Sequence, residues 1–126
     1  MADPMDAPVV SVLLPVFNRA ALVGEAIQSA LAQTYTDLEV VVVDDGSTDG
    51  TAAQVRSFTD RRIRLIQQEN RGIGGALNTA LRAARGRYLA RIDSDDLWLP
   101  ELLAVEVPIL EADAAVGLVY PRAQAM

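Results

Sequence analysis

The stretch Leu38-Glu39-Val40-Val41-Val42-Val43 narrows the possible folds more than any other part of this chain. β-branched side chains favour extended backbone. Four valines in a row lack the apolar–polar alternation of a strand with one wet face. They read as a strand buried on both sides, the habit of parallel sheets covered by helices. The run stops abruptly at Asp44-Asp45-Gly46-Ser47-Thr48-Asp49-Gly50-Thr51. That tract is dense in turn residues and feeds a short helix through about Ser57.

A second run of the same kind, Val9-Val10-Ser11-Val12-Leu13-Leu14, stops at Pro15. Val16-Phe17-Asn18 follows as a loop, and Asn18 suits a helix N-cap. Leu22, Ala26, Ile27, Ala30 and Leu31 then share one helical face. Arg62 to Ile66 alternates, as a strand nearer the sheet edge does. Asn70 to Gly75 is a backbone-exposing loop that opens an amphipathic helix with Ile73, Ala76, Leu77, Ala80, Leu81 and Ala84 on one face, ended by Gly86. Arg87 to Ile92 reads as a further strand. Pro100 suits the first turn of a helix running to about Ala112, with a kink or break expected at Pro108. Val116 to Tyr120 reads as a last strand. The β-α alternation predicts an α/β fold, Rossmann-like, with a mostly parallel sheet and helices on both faces. Residues 9–126 are expected to form this domain, and residues 1–8, small and polar, to fray.

Composition removes whole classes of chemistry. The chain of 126 residues has no cysteine and no histidine, and all 11 of its basic residues are arginine. Thiolate or histidine metal sites, histidine triads, Schiff bases and the P-loop lysine are therefore excluded. A net charge of −6 argues against a nucleic-acid polymer as partner. The apolar runs are too short to span a membrane, and no signal peptide opens the chain. With the absence of cysteine, this fits a cytoplasmic protein.

Ligands of such sheets sit beyond the carboxyl ends of the strands, and the unusual residues of this chain fall there. Phe17 offers a ring that could stack on a base, or it is core and Asn18 only caps. Asp44 and Asp45 could accept from a base N–H or ribose hydroxyls, or form a turn with one aspartate capping. Gly72-Ile73-Gly74-Gly75 could bring backbone N–H groups near phosphate, although the spacing is not that of a dinucleotide fingerprint. Arg71 could meet that phosphate or lie on the surface, and Arg61, Arg62 and Arg64 read as a solvated strand edge. Asp93-Ser94-Asp95 has D-x-D spacing. A turn in this loop is expected to bring both carboxylates to one ligand. Carboxylates are hard ligands suited to Mg²⁺ or Mn²⁺. Asp96 reads as a structural residue. Four such loops on one sheet edge are the warrant for a site.

Taken together, Val10 to Asn18, Val41 to Thr51, Asn70 to Asn78 and Arg91 to Asp96 resemble, in order, the motifs of the family 2 inverting glycosyltransferases. The resemblance implies the nucleotide-binding half of a GT-A fold and a nucleoside-diphosphate sugar donor, of the UDP type. Pro15, Phe17 and Asn18 would belong to the nucleotide-sugar site. Asp45 would bind the base, with Asp44 as its neighbour. Arg71, Gly74 and Asn78 would lie near the nucleotide. Asp93 would approach ribose or diphosphate, and Asp95, with Asp93, would hold Mn²⁺ or Mg²⁺.

An inverting transferase also needs a base to deprotonate a saccharide or other hydroxyl acceptor. In the family this carboxylate lies downstream, in an acceptor-binding half. Glu101, Glu106 and Glu111 do not match it, so the base is expected beyond Met126 and no catalytic residue is assigned. A donor half without its acceptor half would leave core surface open to self-association. In a full-length protein the location expected is cytoplasmic or peripheral at the inner face of the membrane. Two other readings are a nucleotide-binding module without turnover and a phospho-receiver domain. The receiver suits the Val-Asp-Asp strand end but not the lack of lysine.

Overall fold

The computed structural model describes residues 7–113. The strand expected at 116–120 and residues 1–6 of the expected tail lie outside them. Eight elements alternate: β1 (Val10–Val16), α1 (Val23–Leu31), β2 (Leu38–Asp45), α2 (Thr51–Arg56), β3 (Ile63–Gln68), α3 (Gly72–Ala83), β4 (Tyr88–Arg91) and α4 (Leu102–Ala112). The strands form one sheet in the order β3-β2-β1-β4, and every pairing is parallel. This is the first part of the doubly wound order 3-2-1-4. A receiver domain would place β3 beside β1; here β3 lies outside β2, which removes that reading.

The two valine-rich runs became the two central strands. All seven residues of β1 and all eight of β2 are buried, while β3 and β4 are only partly covered. Alternation along each strand sorts the side chains between two cores. Val12, Leu14, Val40 and Val42 pack with Ala26, Ile27 and Ala30 of α1, Val55 of α2, and Leu103 and Val107 of α4. Leu13, Val41 and Val43 face the other way, against Ala76 and Ala80 of α3. Each such valine, fully buried, contributes about 1.5–3 kcal/mol relative to exposure, which is why helices must cover both faces.

Several local expectations give way to tertiary structure. β1 does not stop at Pro15 but continues to Val16, with Pro15 opposite Val43. Leu13 directs its carbonyl toward β4, accepting from Ile92 N–H at 3.0 Å, so Pro15, two residues on, turns its nitrogen to that same side. The β4 ladder has already ended at Arg91, and the missing N–H costs no ladder bond. Asn18 does not cap α1, which begins at Val23 after Leu22. Pro100 precedes α4, which starts at Leu102 and runs through Pro108 without a break. Gly86 is not the helix terminator: α3 ends at Ala83, with Ala84 already extended. Gly86 is needed instead for close approach, because a Cβ there would lie 2.6 Å from the backbone nitrogen of Ser11.

Arg62 and Arg64, expected to be a solvated strand edge, are part-exposed and held by partners. Arg62 pairs with Asp60 at 2.9 Å and donates to the carbonyls of Leu31 and Thr36. Asp60 is thereby held below the usual carboxylate range. Arg64 reaches Glu39, a buried carboxylate near the amino end of β2. Glu39 accepts from Ser11 Oγ at 2.6 Å, Arg64 Nη1 at 2.8 Å, and the backbone N–H and Nε of Arg85 at 2.8 and 3.2 Å. Burial alone would raise its pKa; these donors outweigh burial and hold it below the ordinary value.

Candidate functional site

The carboxyl ends of the four strands converge on a cleft of about 290 Å³. It opens where the strand order reverses between β1 and β4, the place where doubly wound sheets take ligands. Pro15, Phe17 and Arg19 line it from β1 and its loop. Asp45 lines it from the end of β2. Asn70, Ile73 and Ala76 line it from the α3 side, and Ser94 from the loop after β4. Phe17 is 44% exposed; its ring is a wall of the cleft and not part of the core.

Hydrogen bonds lace the first two loops together. Asn18 adopts a left-handed conformation, φ 50°. Its N–H donates to Ser47 Oγ at 2.9 Å and its Oδ1 accepts from Thr48 N–H at 2.8 Å. Asparagine tolerates this backbone better than most residues. Arg19 N–H donates to Thr51 Oγ1 and Ala20 N–H to Asp49 Oδ2. Asp49 is held below its ordinary pKa, first by the hydroxyl of Thr51 and also by backbone donors. These bonds hold Phe17 against the mouth of β2.

The acidic pair divides its work. Asp44 Oδ1 accepts from Ser47 N–H at 3.0 Å and closes the turn. Asp45 Oδ1 accepts from Gln68 Nε2 at 2.9 Å and from Arg71 N–H at 2.8 Å. Its Oδ2 has no partner among the described residues. Both aspartates are buried, yet only Asp45 reaches the cleft. Gly46 makes the approach possible: its φ is +80°, and a Cβ would stand 2.8 Å from Asn70 N.

After β4 the chain makes a turn, as expected for the Asp93-Ser94-Asp95 loop. Asp96 N–H donates to the Asp93 carbonyl at 2.9 Å, and Asp93 N–H to Asp96 Oδ2 at 3.2 Å. Asp96 is therefore the structural member. Asp93 is partly buried, its Oδ1 paired with Arg91 at 3.0 Å. Asp95 is exposed and takes no hydrogen bond or ion pair among the described residues. Buried Gln33 anchors the chain beyond: its Nε2 donates to Leu99 O at 2.7 Å and its Oε1 accepts from Leu103 N–H at 3.0 Å. Among the described residues no three Asp, Glu, His or Cys side chains converge. The donor set fits a cation held by one or two carboxylates plus ligand oxygens, the common Mg²⁺ arrangement, and does not form an all-protein cage.

Of the residues singled out from sequence, Pro15, Phe17 and Asp45 line the cleft. Asn18 and Asp44 lie behind it, holding loops. Arg71 gives its backbone N–H to Asp45, and its Cβ sits against Gly75. Gly74 and Asn78 are exposed on α3. They, Asp93 and Asp95 are not among the lining residues, although Ser94 between the last two is. Sequence reading assigned no individual role to Arg19, Ser47, Gln68, Asn70 or Thr79. Ser47, inside Asp-Asp-Gly-Ser, and Asn70, at the head of the Asn70–Gly75 loop, carried a local signal.

Residues 11–125 match the family model Glycosyl transferase family 2. A chondroitin synthase of Escherichia coli is 41% identical over 115 residues, covering 90% of this chain and 17% of that protein. A solved mannosyltransferase from Pyrobaculum calidifontis, in complex with GDP-Man and Mn²⁺, superposes with a TM-score of 0.80 at 42% identity, over 93% of this chain and 36% of that one. S. aureus TarS 1–349 in complex with UDP-GlcNAc gives 0.79 at 28% identity, over 90% and 37%. The chain thus spans well under half the length of each of these relatives. The parallel sheet covered on both faces is the Rossmann-like nucleotide-binding part of the GT-A fold, as expected. By its sequence over residues 11–125 and by its fold, the chain belongs to glycosyl transferase family 2.

Proposed function

We propose that this domain binds a nucleoside-diphosphate sugar with a divalent cation, as the donor part of an inverting glycosyltransferase. The observation that carries the reading is the cleft itself: a ring, Phe17, on one side, and on its wall a buried carboxylate, Asp45, with one oxygen satisfied and the other free. A free, fixed carboxylate oxygen beside an aromatic ring suits a nucleobase, which offers an N–H on its edge and a π-face for stacking. The likeness to structures in complex with GDP-Man and with UDP-GlcNAc supports this occupant.

In this reading Asp45 accepts from the base, Phe17 and Pro15 bound it, and Arg19 lies near enough to favour an anionic ligand. Asp95, with Asp93, would hold Mn²⁺ or Mg²⁺. When bound, such a cation neutralises charge on the departing diphosphate. The turn fixed by Asp96, and the anchor from Gln33 beyond it, keep the Asp93–Asp95 segment in place. The acceptor is a saccharide or other hydroxyl compound, and the base that deprotonates it belongs to an acceptor-binding part, not to the residues lining this cleft. Among the described residues no helix is long and apolar enough to cross a membrane. The location that goes with this reading is cytoplasmic or peripheral at the membrane.

Calorimetric titration with UDP and with GDP, each with and without MnCl₂, tests the proposal. Saturable binding that depends on the cation is expected, with Asp95→Ala losing the metal dependence. Binding that keeps its metal dependence in Asp95→Ala removes Asp95 as the metal ligand. Nucleotide binding by a full-length protein with no sugar transfer or donor hydrolysis would instead make it a binding module without turnover.

A further inference from the structure

We propose that Gln68 and Thr79, neither of which lines the cleft, are positioning residues that decide which oxygen of Asp45 a ligand meets. The inference rests on the reading of the cleft as a nucleotide site and adds what sets its recognition. Asp45 and Gln68 are the last residues of β2 and β3 and stand opposite each other in the ladder. Gln68 Nε2 donates to Asp45 Oδ1, and so does Arg71 N–H. Two donors on one sp² oxygen occupy its in-plane lone-pair directions. Oδ2 is left as the acceptor for an incoming N–H.

The backbone bond from Arg71 is fixed by the start of α3. The Gln68 bond is not fixed by backbone, since a side-chain amide can present either end. Asp45 takes the NH₂ end, and Thr79, on the α3 face toward β3, holds the other. Its Oγ1 lies 2.6 Å from Gln68 Oε1 and 3.1 Å from the Gly75 carbonyl. The hydroxyl has one proton, and the shorter contact takes it. With the hydroxyl donating to Oε1, the NH₂ end must face Asp45. The reversed amide would set Oε1 against a carboxylate, acceptor against acceptor, in a part-buried place where water only partly offsets the unpaired groups. The order of donation is therefore Thr79 to Gln68 to Asp45, running from a helix into the cleft.

Removing the hydroxyl leaves Gln68 Oε1 without its donor and the side chain less firmly placed, so one of the two donors that hold the Asp45 rotamer is weakened. Recognition of a base N–H then weakens, while binding of a diphosphate group elsewhere in the site does not. Calorimetry in MnCl₂ with UDP, GDP and inorganic pyrophosphate separates the two. Thr79→Val, close to isosteric, is expected to weaken the nucleotide that the wild type prefers by about fivefold, the scale of one hydrogen bond. Thr79→Ser restores binding, Gln68→Met reproduces the loss, and pyrophosphate binds the wild type and all variants alike. Nucleotide binding unchanged in Thr79→Val and Gln68→Met overturns the relay and leaves the donor site standing. An equal loss for pyrophosphate, or no rescue by serine, also overturns it, since a general loosening of the fold would act that way. A wild type that binds neither UDP nor GDP overturns the donor-site reading, and the relay with it.

Discussion

Replacing Gly46 with alanine should damage both stability and the cleft, through two separable costs. The residue has φ +80°, a conformation that costs a non-glycine residue about 1–2 kcal/mol. The new Cβ would also lie 2.8 Å from Asn70 N and 3.3 Å from both Asn70 Cα and Cβ. The nearest atom is backbone, so no rotamer change relieves the contact, and one chain must shift. Such overpacking costs about 1–3 kcal/mol, which makes the sum about 2–5 kcal/mol. For a domain of this size, that lowers Tm by roughly 8–20 °C at about 4 °C per kcal/mol. The shift also bears on function, because Asn70 precedes Arg71, whose N–H holds Asp45 Oδ1. Thermal unfolding followed by circular dichroism measures the first effect, and UDP or GDP titration of the folded variant the second. Gly24→Ala is the control: it lies in the first turn of α1 with nothing within 4 Å of its Cβ, and alanine there should stabilise by up to about 1 kcal/mol. Adding Asn70→Ala to Gly46→Ala should not rescue, since the backbone clash remains. A Gly46→Ala protein with the Tm of the wild type, or one rescued by trimming Asn70, would refute the reasoning.

Glu39→Gln should destabilise by about 1–3 kcal/mol, the scale of weakened hydrogen bonds to a buried charged group, since Arg64 and Arg85 are part-exposed and water solvates the charges left behind; chemical denaturation at pH 7 measures it. The folded pKa of Glu39 lies below its ordinary value near 4.5. Its contribution should therefore be complete above about that pH and be lost as pH falls through the lower, folded value, so the wild-type advantage over Glu39→Gln should shrink only in acid. Glu106 has the opposite sign: burial raises its pKa and its Oε2 has no partner among the described residues. Gln33→Leu should cost about 1–3 kcal/mol by leaving Leu103 N–H and Leu99 O unpaired. It should raise hydrogen exchange between Asp93 and Leu103 more than in β1 and β2, and uniform exchange across the domain would count against this anchoring role.

The elements that were legible in the sequence are those whose signal is local and repeated. Val40 to Val43 are apolar at every position and Val10 to Leu14 at all but Ser11, and they form the two central strands with nearly the expected bounds. The strand ends also followed, since turn residues cluster after each. What local reasoning missed was settled by contacts far along the chain. Asn18 looks like a cap, but its amide is taken by Thr48, thirty residues away. Arg64 looks exposed in an alternating strand, but it neutralises Glu39. Gly86 looks like a helix stop, but its lack of a side chain serves Ser11 in β1. Gln68 and Thr79 carry no motif at all. Their importance comes from the register that sets Gln68 opposite Asp45 and from the turn of α3 that brings Thr79 to Gln68.

The arginines make the polarity of the molecule intelligible. At the amino end of the sheet Glu39 is met by Arg64 and Arg85, and beside the start of β3 Asp60 is met by Arg62, so negative charge there is balanced. At the carboxyl end the loops carry Asp44, Asp45, Asp93, Asp95 and Asp96, and among these only Asp93 is salt-bridged among the described residues, to Arg91. Asp44, Asp45 and Asp96 rely on N–H donors instead. N–H dipoles stabilise a carboxylate without cancelling its field at a distance. A nucleoside diphosphate approaching that end meets repulsion from several carboxylates, which Arg19 at the cleft and Arg71 nearby only partly offset. In the function proposed above, a divalent cation would remove the obstacle for both partners at once. On this account the cation should be needed for the diphosphate and much less for an uncharged nucleoside. Uridine or guanosine binding that showed the same MnCl₂ dependence as UDP or GDP would mean that the cation acts on the fold of the Asp93–Asp96 turn and not on the ligand's charge.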